Sequence, residues 1–379
     1  MRVVCVAGAR PNFMKIKRVV DALEARGVEV VVVHTGQHYD PAMCGGFFDE
    51  CGLRPPDLSL DVGSASHAQQ TAAVMVAFEP VLDRLRPDVV VVVGDVNSTL
   101  AAALVTAKSP ALLAHVEAGL RSRDWTMPEE VNRVVTDRVS DLLFAPSPDG
   151  VDSLAAEGVE ADRIHLVGNV MIDTLLANLE RSRDRPVAAR LGVDGDGYGV
   201  VTLHRPANVD DPATLEGILG ALAAVSAACP LVLPVHPRSA PAIRAFGLPP
   251  SVVVAEPLGY LDFLALQAGA RIVLTYSGGV QEETTALGIP RLTQRDNTER
   301  PITMTDGTNR VVDRDPERMV AEAQAVLRAG VEARQPALWD GRAAQRIADA
   351  LVGARRTEEW PVARLHGATD QDRAPTSQT

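Results

Sequence analysis

Five consecutive valines, Val89–Val93, constrain the fold more than any other stretch of this sequence. A β-branched run with no polar alternation suits a strand buried on both faces, an interior strand of a parallel sheet with helices above and below. Similar short apolar runs, bounded by Gly, Asp or Asn, recur at Arg2–Ala7, Glu29–His34, Asp88–Val93, Ala111–Val116, Leu142–Ala145 and Arg163–Val167. Ala/Leu/Arg segments with helical spacing, such as Ile16–Arg26 and Thr99–Ala107, lie between them, so the pattern is βαβα. Residues 1–170 are therefore expected to form one doubly wound α/β domain.

A helix-like stretch, Met171–Arg183, and a Gly-rich break, Gly192–Gly199, precede a second round of the same pattern. Strands are predicted at Val200–Leu203, Leu231–Val235, Val252–Ala255, Arg271–Thr275 and Pro290–Thr293. Helices are predicted at Leu215–Ala227, Leu261–Ala268, Val280–Leu287 and Arg342–Val352. Residues 171–355 thus read as a second Rossmann-like domain, facing the first across a central cleft of the kind that favours substrate pockets. Residues 356–379 read as an extension, polar from Gly367 onward and expected to be disordered.

The net charge of −12 argues against a broad nucleic-acid surface and confines any anion site to a few local cations and helix ends. The four cysteines form no CxxC pair, and Cys5 sits in a strand-like run as a small hydrophobe, which fits a reducing cytoplasm. The first apolar run breaks at Gly8-Ala9-Arg10-Pro11, too short for a signal peptide or a membrane span, so a cytoplasmic protein without a membrane partner is expected. No HExxH or paired CxxC appears, so neither a metal nor a cofactor is implied.

In an open α/β sheet, ligands gather at the carboxyl ends of the strands. Gly8 through Lys15 follows the first strand, where Gly8 permits a tight turn, Pro11 opens a helix, free amides can meet an anion, and Arg10 and Lys15 add charge. Two solvated cations on a plain turn explain it equally well. Asp95, in Val93-Gly94-Asp95-Val96-Asn97-Ser98, ends the valine strand, where a helix N-cap is the ordinary alternative.

The run His115-Val116-Glu117-Ala118-Gly119-Leu120-Arg121, then Met127-Pro128-Glu129-Glu130-Val131-Asn132-Arg133, gathers acids and guanidinium groups in one strand-loop-helix passage. Glu117 ends a strand. Glu129 fits a Thr126-x-x-Glu129 capping box as well as a catalytic role. Together with Asp95, these acids lie beside Arg121, Arg123 and Arg133, as acid–base chemistry with separated carboxyl pKa values would require.

In the second half, His204 and, with a weaker claim, His236 end strands. Ser277-Gly278-Gly279 opens a helix and is the strongest phosphate candidate, with Glu283 a turn further on. Helix-dipole complementation is the alternative for Glu282 and Glu283. Arg300, in Asn297-Thr298-Glu299-Arg300-Pro301, could reach the same ligand or lie on a surface loop.

Taken in order, these motifs resemble those of the non-hydrolysing UDP-N-acetylglucosamine 2-epimerases across nearly the whole chain. The resemblance implies the glycosyltransferase-B architecture, a homodimer and a UDP-N-acetylhexosamine substrate. The implied reaction interconverts UDP-N-acetylglucosamine and UDP-N-acetylmannosamine by anti elimination of UDP to a 2-acetamidoglucal, followed by re-addition with inversion at C2. It assigns acid–base work to Asp95, Glu117 and Glu129, leaving open which is base and which acid. Arg10, Lys15 and His204 would hold or activate the diphosphate, and Ser277, Gly278 and Gly279 would cradle it. Glu283 would hold the ribose, Arg300 the nucleotide, and Leu258 and Phe263 would line the uracil pocket. The chain departs from the family pattern at Tyr276, where many members have Asp, and at Ala207, where many have Glu. At Pro206, members activated by their own substrate carry Arg, so such activation is not expected. A hydrolysing 2-epimerase, which releases UDP and N-acetylmannosamine, shares these motifs. A non-catalytic nucleotide-sugar binding protein and, less favoured, a glycosyltransferase of the same architecture are further alternatives.

Overall fold

The computed structural model describes residues 1–36, 52, 54–195, 197–203, 211–235, 240–275, 278–294, 298–312 and 315–354. Two parallel sheets carry the fold. The first comprises β1 (Arg2–Ala7), β2 (Glu29–His34), β3 (Leu58–Ser59), β4 (Val89–Val93), β5 (Leu112–Val116), β6 (Leu142–Ala145) and β7 (Ile164–Leu166), in the order 3-2-1-4-5-6-7. The second comprises β8 (Gly199–Thr202), β9 (Leu231–Pro234), β10 (Val252–Ala255), β11 (Ile272–Thr275), β12 (Arg291–Thr293) and β13 (Asn309–Val311), in the order 10-9-8-11-12-13.

The valine run behaves as its composition demands. Val89, Val91 and Val93 join one apolar cluster and Val90 and Val92 the other, because successive side chains point to opposite faces. All five are almost fully buried, each contributing roughly 1.5 kcal/mol or more by leaving water. The first face is covered by α1 (Arg10–Glu24), and the second by α2 (His67–Leu85) and α3 (Asn97–Thr106). After β5 come α4 (Pro128–Val139) and α5 (Pro148–Ala156), and α6 (Val170–Arg183) leaves the first sheet. In the second half, α7 (Pro212–Ser226), α8 (Tyr260–Ala268), α9 (Gly278–Ala286), α10 (Pro316–Ala329) and α11 (Ala343–Gly353) are the longer helices.

The division between the halves differs from a cut at residue 170. Val170 and Met171 of α6 and five residues of α11, from Ala343 to Leu351, lie in the same cluster as α1 and the first sheet. Asp173 on α6 accepts from the first two amides of α11, Ala343 N at 3.1 Å and Ala344 N at 2.7 Å, so its carboxylate sits on the positive end of that helix. Helix α6 also packs on α8 and α9 of the second domain. Trp339, buried at this junction, donates from Nε1 to the Pro146 carbonyl at 3.1 Å. Among the described residues no helix is long and apolar enough to cross a membrane.

In both sheets the strand order reverses beside the first strand of the domain, at β1/β4 and β8/β11. Such a switch point opens a crevice at the carboxyl edge. The segments after β1, β4, β8 and β11 carry predicted motifs, and those after the neighbouring strands β5 and β12 carry Glu117 and Arg300.

Candidate active site

Helix α1 begins at Arg10, immediately after β1, because the Asn12 side chain folds back on the turn. Its Oδ1 accepts from Ala9 N at 2.8 Å and Gly8 N at 3.3 Å, while Nδ2 donates to the Val93 carbonyl at 3.1 Å. Gly8 and Ala9 thus spend their amides on Asn12. Gly8 is required by packing rather than by its turn: a Cβ there would lie 2.6 Å from Ser98 Oγ. One turn into the helix, Lys15 pairs with Glu117 Oε2.

Glu117 is almost fully buried, has φ of 70°, and keeps Oε1 without a hydrogen-bond partner. A non-glycine residue in that conformation costs about 1–3 kcal/mol and persists only where its surroundings over-determine it, typically at functional sites. Gly94, also left-handed at φ 69°, lies under the pair: a Cβ there would sit 3.4 Å from both Glu117 Oε2 and Lys15 Nζ.

Asp95 does not cap α3, whose N-cap is Val96 with no side-chain bond. It is part-exposed and pairs with Arg133 of α4, while its carbonyl accepts from Asn132 Nδ2 at 2.9 Å. The capping-box reading of Glu129 is overturned as well. Helix α4 starts at Pro128 with Met127 as N-cap, and Thr126 Oγ1 donates to Asp124 at 2.6 Å instead. Glu129 is half-buried at the mouth of α4.

Its neighbour Glu130 is a residue the sequence reading passed over. It is buried and accepts from Ser122 N, Ser122 Oγ, Arg123 N and Arg133 Nη1 at 2.6–2.9 Å. Burial pushes its carboxyl up, but those donors and Arg133 outweigh it and hold the group below its ordinary value. Glu130 thereby fixes both the loop after β5 and the guanidinium that meets Asp95. Of the three arginines noted near these acids, only Arg133 serves them. Arg121 turns away to Asp137 and Glu157, at 2.7 Å each, and Arg123 is exposed.

Across the cleft, Arg300 is buried, not a surface-loop residue. It pairs through Nε with Glu282 at 2.6 Å and through Nη1 with Glu299 at 2.5 Å. Glu282 and Glu283 lie beyond the first turn of α9, so they are not there to complement its dipole. Burial raises the Glu282 carboxyl; Arg300 and Lys15 lower it, and Glu117 raises it further. This mutual influence places Lys15 and Glu117 of one domain within electrostatic range of Glu282 and Arg300 of the other. Glu282 Oε2, like Glu117 Oε1, is buried without a hydrogen-bond partner.

Glu283 is buried beside Tyr260, whose hydroxyl donates to it at 3.4 Å, and burial pushes its pKa to about 7. Leu258 and Phe263 are half-buried and pack in one cluster with Val280 and Leu287, beside α9. Gly278 and Gly279 open α9 directly after the switch point. His204, Ser277, the Arg10 side chain, Pro206, Ala207, His236 and Tyr276 lie outside the described residues, as does the extension from residue 356. Among the described residues no cluster of His, Cys, Asp and Glu could hold a metal ion.

A family model described as UDP-N-acetylglucosamine 2-epimerase matches residues 21–352. The chain belongs to that family. The UDP-N-acetylglucosamine 2-epimerase of Methanocaldococcus jannaschii is 38% identical over 365 residues, covering 93% of this chain and 99% of that protein. The UDP-2,3-diacetamido-2,3-dideoxy-D-glucuronate 2-epimerase of Pseudomonas aeruginosa is 39% identical over 356 residues, with 93% and 99% covered. A crystal structure of the M. jannaschii enzyme in complex with UDP-GlcNAc and UDP has a TM-score of 0.84 at 37% identity, covering 93% of this chain and all of that one. The 2-epimerase family thus accounts for the whole described architecture, two glycosyltransferase-B-like domains around a cleft, and supports an isomerase activity.

Proposed function

We propose that the chain is a non-hydrolysing, metal-independent epimerase that interconverts UDP-N-acetylglucosamine and UDP-N-acetylmannosamine. The observation that carries this reading is the pairing of Glu117 with Lys15 opposite Glu282 and Arg300, with one orphaned carboxylate oxygen on each wall. Anti elimination removes the C2 proton while the C1–O bond to UDP breaks, giving a 2-acetamidoglucal. UDP then re-adds at C1 and a proton returns to the other face of C2. The sequence is redox-neutral and asks for carboxylates near C2 and cations at the diphosphate.

Asp95, Glu117 and Glu129 supply the acid–base groups in this scheme. Lys15, on the same edge, passes from Glu117 to the diphosphate as substrate enters, with Arg10 and His204 as its companions. The α9 turn, Ser277-Gly278-Gly279, receives the phosphates at a helix N-terminus. Glu283 takes the ribose hydroxyls, Arg300 contacts the nucleotide, and Leu258 and Phe263 flank the uracil. A cytoplasmic location suits a nucleotide-sugar substrate, and a homodimer is the proposed assembly, to be checked by sedimentation velocity.

Incubation with UDP-N-acetylglucosamine in D2O, followed by NMR, should give both UDP-sugar epimers deuterated at C2. Free UDP with N-acetylmannosamine would transfer the assignment to the hydrolysing branch, and bound but unchanged substrate to a binding protein. The P. aeruginosa relative motivates a parallel incubation with UDP-2,3-diacetamido-2,3-dideoxy-D-glucuronate. Turnover of that sugar alone would replace the substrate while keeping the reaction.

A further inference from the structure

His115 stands on β5 two residues before Glu117 and is fully buried. Its Nε2 lies 2.9 Å from the Gly94 carbonyl and its Nδ1 2.6 Å from Asp137 Oδ1. A carbonyl oxygen can only accept a hydrogen bond, so Nε2 carries a proton. Asp137 is also an acceptor. Its Oδ2 already takes the Gly119 amide at 3.0 Å and the Arg121 guanidinium at 2.7 Å, both obligate donors. Although burial pushes the Asp137 carboxyl up, His115 and Arg121 prevail and hold it below its ordinary value. The ring thus bridges the turn after β4 and helix α4.

Arg121 also reaches Glu157 at 2.7 Å, so His115, Asp137, Arg121 and Glu157 form one connected group.

The group also joins two turns. Through Gly94 it grips the turn after β4, whose next residue is Asp95; through Asp137 and the Gly119 amide it grips the turn after β5, which begins with Glu117. Glu117 is left-handed at φ 70°, a strained conformation that needs an external hold, whereas Gly94 takes φ 69° freely. Gly119 has no latitude either, since a Cβ there would lie 2.2 Å from the Gly150 carbonyl oxygen.

We propose that His115 is a positioning residue, held between the Gly94 carbonyl and Asp137, that fixes the spacing of the Asp95 and Glu117 carboxylates. It does not touch substrate. The proposal rests on the acid–base reading of those two residues, and its test separates the two.

His115→Gln should lower kcat for C2-deuterium exchange by about 100-fold, the effect of misplacing a reacting group by about 1 Å. KM and UDP affinity should stay within about threefold of the wild type, a precision at which a tenfold affinity change (about 1.4 kcal/mol) would be plain. An unchanged kcat, or equal losses in kcat and UDP affinity, would overturn the positioning role. If His115→Gln does not fold, His115→Asn, whose amide can still donate to Asp137, is held to the same split between kcat and affinity. Should the wild-type chain fail to exchange the C2 proton, the acid–base reading falls, while displaced Asp95 and Gly119 amide resonances in the variant still report the hold on the two turns; unmoved resonances would overturn it.

Discussion

The two walls of the cleft handle charge in opposite ways. On the N-terminal wall Glu117, Asp95 and Asp137 each meet a cation from a different element: Lys15, Arg133 and Arg121. On the C-terminal wall Glu282 and Glu283 are consecutive on α9, and Arg300 is divided between Glu282 and Glu299. Burial there raises both glutamates. A wall that does acid–base work needs carboxylates whose protonation is set before substrate arrives, whereas a wall that binds can leave its charge to be balanced by the ligand.

The sharpest way to break this contrast is Glu117→Gln. Loss of an acid–base group should cut C2-deuterium exchange by about 1,000-fold, while UDP binding measured by calorimetry stays nearly unchanged. Exchange at the wild-type rate would remove the chemistry from the N-terminal wall. Next in size is Arg300→Met, which leaves Glu282 and Glu299 without their shared guanidinium and should lower stability by about 3–5 kcal/mol in urea unfolding. A loss under about 1 kcal/mol would mean that water already screens the pair.

The smallest effect concerns Glu283. Its folded-state pKa of about 7 lies above the ordinary value of 4.5, so the folded chain binds more protons than the unfolded chain between these limits. Stability therefore falls as pH rises from about 4.5 to 7. Glu283→Gln removes that penalty and should match the parent at pH 4, then exceed it by on the order of 3 kcal/mol at pH 8. A constant difference in urea midpoints across this range would show that Glu283 is charged throughout.

The parallel sheets were legible because strands buried on both faces leave an unbroken apolar signature, as Val89–Val93 does. Helix α1 shows apolar spacing only from Ile16, yet Pro11 marked its opening, and it starts at Arg10 with the Asn12 side chain on Ala9. Helix α2 went unread: its buried stripe is narrow, Gln70, Val74, Phe78 and Leu82, and Pro80 interrupts the pattern. In the site, strand-terminal acids such as Asp95 and Glu117 could be picked out by position alone. Their partners could not. His115 and Asp137 are 22 residues apart and meet only when β5 and α4 pack. Glu130 did carry a local signal, the Glu-x-x-Arg spacing to Arg133.

Trp339 and α11 also say something about inheritance and engineering. The chain leaves the first domain along α6, builds the second, and comes back to finish the apolar layer under α1, where Asp173 seats the returning helix. A gene cut at residue 170 would encode a first half missing part of its own interior, with Ala343 to Leu351 stranded on the other fragment. Residue 170 is therefore not a place where this protein can be divided, shuffled or fused. Whatever moves the two walls of the cleft must turn about a pair of neighbouring strands of chain rather than a single flexible tether.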